Sequence, residues 1–106
     1  MLRVPAVLLL VYDTDERAIW RKILGPHAEL TCVCTPEEMA EQLAQASYDA
    51  LFCARSLCMG SWRAVLEEVR RFYPHLPVII VSRTAEEQEW LEVLEAGAFD
   101  LLAPPH

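Results

Sequence analysis

The sequence predicts an α/β protein, a doubly wound five-stranded parallel sheet with helices on both faces. Extended apolar runs alternate along the whole chain with amphipathic stretches of helical period. Some of the runs are continuous Val, Ile and Leu, Val78-Ile79-Ile80-Val81 most plainly, as expected of strands covered on both faces by helices. At 106 residues the chain has room for one core. No repeat, linker or low-complexity run divides it, so residues 1–106 are taken as a single domain.

Strands are expected over residues 6–12, 29–34, 49–54, 77–82 and 100–103. Between them lie four helix candidates. The first carries Ile19, Trp20, Ile23 and Leu24 at one-face spacing and stops at Gly25-Pro26, a left-handed cap followed by a breaker. The second opens on Thr35-Pro36-Glu37-Glu38, where the Thr35 hydroxyl caps, Pro36 suits the first turn and Glu38 reaches back to complete a capping box. The third begins near Ser61, buries Val65, Leu66 and Val69, and ends before Pro74. The fourth repeats the box as Thr84-Ala85-Glu86-Glu87, places Trp90, Leu91 and Leu94 at helical spacing, and stops at Gly97. Right-handed crossovers between such strands put ligands beyond the carboxyl ends of the sheet, which is where chemistry is to be sought.

Composition narrows the function classes. With 54% apolar and 24% charged residues the chain is an ordinary folded protein. Its net charge of −7 works against direct nucleic-acid binding and against anionic lipid surfaces. The apolar run at residues 6–11 is far shorter than the roughly 20 needed to span a bilayer and reads poorly as a secretory signal, so a cytoplasmic location is expected. Of the four cysteines, Cys32, Cys34 and Cys53 lie in strand-like runs and read as small core hydrophobes in place of a disulfide framework. Cys32 and Cys34 share a strand face, but no histidine lies near them, so neither a metal nor any other cofactor is expected. Cys58 is the thiol expected to be exposed; Trp62 and Trp90 are open between core and docking roles.

Four blocks, Leu8-Leu9-Leu10-Val11-Tyr12-Asp13, Tyr48-Asp49-Ala50-Leu51-Phe52-Cys53-Ala54, Leu76-Pro77-Val78-Ile79-Ile80-Val81-Ser82 and Ala96-Gly97-Ala98-Phe99-Asp100-Leu101-Leu102, stand in an order and spacing that resembles the response-regulator receiver family. The resemblance covers nearly the whole chain and implies the sheet order 2-1-3-4-5. It also marks where that family keeps its phosphorylation chemistry. The acidic pair after the first strand matches Tyr12 and Asp13, so one carboxylate is lost. The phosphoacceptor position matches Ala54, the conserved hydroxyl matches Ser82, and the lysine before a proline matches Pro104. The aromatic switch position on the fifth strand matches Leu101.

These losses act together. Phosphoryl transfer needs a carboxylate to attack, while magnesium and an ammonium neutralise the transferred group. A methyl and a pyrrolidine supply neither, and Asp13 alone is a poor magnesium site. The resemblance therefore implies a degenerate receiver that is not an enzyme and acts in two-component signalling by binding a protein partner or an output domain. The alternative is a small-anion or nucleotide sensor built on Ser82, Arg83 and Arg55. A third class, a flavodoxin-like redox protein, is opposed by the acidic Tyr12-Asp13-Thr14-Asp15-Glu16 loop, which repels phosphate.

Each site residue also has a plain structural role. Asp13 is expected first as a cap for the loop into the first helix. Arg55 or Arg83 can pair with Asp13 and fill the vestigial cleft, and Tyr12 can fill it too. The family's fifth helix has no counterpart before His106, so apolar side chains on one face of the third to fifth strands are expected to meet water and to be covered by a partner, a homodimer being the first candidate.

Overall fold

The computed structural model describes residues 4–55, 62–82 and 87–102; side chains are described for these except 87–90 and 100–102. Its elements run β1 (Ala6–Leu10), α1 (Thr14–Leu24), β2 (Glu29–Val33), α2 (Pro36–Gln45), β3 (Ala50–Ala54), α3 (Trp62–Phe72), β4 (Val78–Val81), α4 (Glu87–Glu95) and β5 (Asp100–Leu102). The strands form one parallel sheet. β2, β1, β3 and β4 make up its body in that order, and the three-residue β5 adds to the β4 edge. The strands are a residue or two shorter than the expected runs; beyond β1 the Val11 amide still donates to the Val33 carbonyl at 3.1 Å before the chain turns toward α1.

Register sorts the apolar residues into two layers. Leu8, Leu10, Leu51, Cys53, Val78 and Ile80 face one way, where Met39 and Leu43 of α2, Trp62, Val65, Leu66 and Val69 of α3, and Val93 of α4 close over them. Val7, Leu9, Val11, Phe52, Ala54 and Val81 face the other way, against Trp20 of α1. This two-sided burial is what the uninterrupted apolar runs require. It also places Cys32, which aligns with Leu9 and packs in the α1 layer, across the sheet from Cys53, which aligns with Leu10. Those two thiols share no site. Trp62 belongs to the core, whereas Cys58, Arg83 and Pro104 lie outside the described residues, as does the Thr84 capping box, and so do the side chains of Trp90 and Leu101.

The helix ends show which local signals acted. At α2 the Thr35 hydroxyl accepts from the Glu38 amide at 3.2 Å, and Glu38 Oε1 accepts from the Cys34 amide at 3.3 Å, a box whose return bond falls one residue early. The left-handed cap expected at Gly25 does not form. Gly25 is right-handed helical (φ −53°, ψ −41°) and donates to Arg21, after which His27 donates to Leu24 in a tighter turn. With no Cβ, Gly25 can hold a helical ψ beside the Pro26 ring, and a Cβ there would sit 2.5 Å from the Arg21 carbonyl. The left-handed glycine is Gly97, at φ +99°. Gly97 donates to Leu94 at 3.0 Å and Ala98 to Val93 at 3.2 Å, the paired bonds of a Schellman ending. The Arg70 guanidinium donates to the Ala96 carbonyl at 3.2 Å, occupying the space a Gly97 Cβ would need.

Three expected faces are corrected. Ile19 is exposed, because the buried stripe of α1 runs through Glu16, Trp20 and Ile23, and Ile19 lies at its margin. On α4, Leu91 of the expected stripe is exposed, Leu94 is half-buried and Val93 is fully buried, so the inward face of its described part is shifted toward Val93. On the α1 side of the sheet, Phe52, Ala54 and Val81 are buried, so the open apolar face expected on β3 and β4 narrows to the half-buried Ile79 and Ala50. No helix of the described residues is long and apolar enough to cross a membrane.

Candidate functional site

The carboxyl ends of β1, β3 and β4 bring together Tyr12 and Asp13, Ala54 and Arg55, and Ser82. The ladder fixes this alignment: Ala54 pairs with Val81, and the Arg55 amide donates to the Val81 carbonyl at 2.8 Å. The Ala54 methyl is wholly buried in the α1 layer, and Ser82 is buried beside it at the end of β4. On the opposite side of β3, burial pushes the Cys53 thiol up to about 12.

Asp13 is the N-cap of α1. Its Oδ1 accepts from the Glu16 amide at 2.9 Å and its carbonyl accepts from Arg17, so the carboxylate serves the helix start in the way its turn position predicts. Asp15 and Glu16 add negative charge to that first turn, which opposes a phosphate there. Tyr12, at the other position of the pair, is 53% exposed.

Arg55 is engaged by α4. Its Nη2 lies 3.5 Å from Glu92 Oε2, and Arg63 of α3 approaches the same oxygen at 3.6 Å. Sequence reasoning missed Glu92, since 37 residues separate it from Arg55 and no local pattern joins them. It also missed Arg17, whose Nη2 donates to the Val11 carbonyl at 3.3 Å and reaches Cys34 Sγ at 2.6 Å across the ends of β1 and β2. Glu16, buried at 4% exposure, was legible in principle. Asp13-Thr14-Asp15-Glu16 has capping-box spacing, and helical period sets residue 16 on the face of residue 20. Among the described residues no group of three or more histidine, cysteine or acidic side chains is placed to hold a metal ion.

Comparison with solved structures gives one consistent answer. The receiver domain of a putative LuxO repressor protein from Vibrio parahaemolyticus superposes with a TM-score of 0.81 at 20% identity, over 99% of this chain and 81% of that one. A two-component response regulator from Clostridium difficile gives 0.80 at 20% identity, over 96% and 84%. The chain has the receiver fold. NtrX from Brucella abortus superposes still better, at 0.86 and 19% identity, with 98% of this chain matching 24% of that longer one. No protein-family profile and no curated protein sequence matches the chain, so the receiver fold is carried by three-dimensional likeness.

Proposed function

We propose that this chain is a receiver-fold signalling module that works without phosphorylation, binding a protein partner or an output domain. The observation that carries this is Ala54: a fully buried methyl ends β3 at the position where the receiver resemblance places the attacking carboxylate. The surrounding residues support it. Asp13 is bound into the α1 cap, Tyr12 stands where the resemblance places the other acid of the pair, and Pro104 stands in the sequence at the lysine position. Ser82 keeps a hydroxyl with no phosphoryl group to receive. No catalytic role follows for any of them.

The test is chemical. Incubated with magnesium and a small-molecule phosphodonor, the chain is expected to keep its unmodified intact mass while an active receiver in parallel gains a phosphoryl group. A stoichiometric adduct on this chain would overturn the proposal and make it a working phosphorylation switch. The anion-sensor alternative on Ser82, Arg83 and Arg55 is the weaker reading, since Glu92 already supplies Arg55 with a carboxylate.

Partners follow from the same fold. That NtrX matches over only a quarter of its length, and full-length DrrB from Thermotoga maritima over 47%, supports a module that works joined to other domains. A second copy meeting the α1 side of the sheet is the other partner we infer, with the half-buried Ile79 and Ala50 at its centre. Sedimentation at micromolar concentration separates the two. A dimer weakened by Ile79→Asp supports self-association, whereas a clean monomer removes it and leaves a protein partner.

A further inference from the structure

We propose that Glu92 serves this module as an internal anion, fixing α4 against the end of β3 and the start of α3, and so holding one resting arrangement without a transferred group. The inference rests on the phosphorylation-independent reading for its meaning, but on its own contacts for its geometry. A single carboxylate oxygen, Glu92 Oε2, is approached by Arg55 at 3.5 Å and by Arg63 at 3.6 Å. The two cations come from different elements. Arg55 follows β3 directly and is anchored by its amide bond to Val81, while Arg63 lies in the first turn of α3 with its guanidinium 4.9 Å from the ring centroid of the buried Trp62. Arg63 is thus held in place before it meets Glu92.

One turn further on, the C-terminal end of α4 is held by a third cation, Arg70, which like Arg63 belongs to α3. Arg70 donates to the Ala96 carbonyl, one of the acceptors that a helix terminus leaves open, and a cation there also suits the negative end of the helix dipole. Apolar anchoring of the described part of α4 is thin: Val93 is fully buried, but Leu91 is exposed and Leu94 only half-buried. Within that described part, polar contacts to α3 and to the residue after β3 stand beside Val93 in orienting the helix. Arg55 is also the residue from which an anion at the carboxyl-end site would be felt by α4, and Glu92 takes that place from within.

The experiment is amide hydrogen exchange on the full chain. Glu92→Gln is expected to speed exchange across α4 by about three- to tenfold, the range two partly exposed ion pairs can supply, with β1 and β3 unchanged. Arg55→Gln and Arg63→Gln should each give part of that effect. Raising NaCl to roughly 1 M should loosen α4 in the unmodified chain and not in Glu92→Gln, because salt screens exposed pairs; this readout needs no variant to fold. Unchanged α4 exchange in Glu92→Gln, or equal acceleration in the central strands, would each overturn the proposal. A phosphoryl adduct in the mass experiment would sink the phosphorylation-independent reading while leaving the α4 exchange result standing, so the two failures are distinguishable.

Discussion

Trp20→Ala is expected to lower the unfolding free energy by about 3–5 kcal/mol, the range for emptying a buried aromatic site. Trp20 is 2% exposed and is the side chain through which α1 closes the layer of Val7, Leu9, Val11, Phe52, Ala54 and Val81. Ile23 and Leu24 are only partly buried around it and cannot collapse into the space without moving the helix. Trp20→Phe should cost less than half as much. The indole Nε1 is buried with no hydrogen-bond acceptor among the described residues, and phenylalanine removes that N–H while keeping most of the ring. An unsatisfied buried donor costs roughly 1–3 kcal/mol, which offsets much of the lost volume. Equilibrium urea unfolding of the three chains measures this. A Trp20→Phe loss equal to that of Trp20→Ala would mean the indole N–H is paired and the packing account is wrong.

How far the fold could be read from the sequence depended on how local each determinant is. The strands were visible because a strand covered on both faces has no polar positions to break its apolar run, as in Val78-Ile79-Ile80-Val81. The start of α2 was visible because Thr35 and Glu38 act on backbone groups three or four residues away. The two glycine endings looked alike in sequence and differ in space. Gly97 ends α4 with a positive φ because the chain must turn back into β5, whereas Gly25 stays helical and the turn is made one step later by His27. Helix faces were harder where apolar residues are few. In α4 the exposed Leu91 and the buried Val93 are both apolar, and only the position of the sheet decides between them.

The candidate site divides along the same line. Ala54, Asp13 and Ser82 could be placed because each sits at a strand end whose register follows from the apolar run before it. Asp13 as a cap was legible as well, since its partner Glu16 is three residues away. What Arg55 does was not legible, because its acceptor lies on another helix and depends on how α3 and α4 pack. The same holds for Arg17, which reaches Cys34 only because β1 and β2 are neighbours in the sheet.

Cys53 is expected to make the stability of the chain fall steeply in alkaline solution. Its side chain is fully buried beneath the helices on the face opposite Ala54, and burial pushes its thiol from 9.0 up to about 12. Below pH 9 the thiol is protonated in both the folded and the unfolded chain, so its contribution is intact. Above pH 9 the unfolded chain releases the proton and the folded chain keeps it. Stability should then drop by about 1.4 kcal/mol per pH unit until the folded thiol also ionises near 12, a total on the order of 4 kcal/mol. Other groups titrate in this window, so the comparison must be with Cys53→Ala. That variant pays a packing cost at every pH but lacks the thiol. The stability advantage of the unmodified chain over Cys53→Ala, measured by urea unfolding, should shrink by about 2 kcal/mol between pH 8 and pH 10.5. A gap that stays constant across that range would show that the thiol ionises as freely in the fold as in the unfolded chain, and that the interior under α3 is open to water.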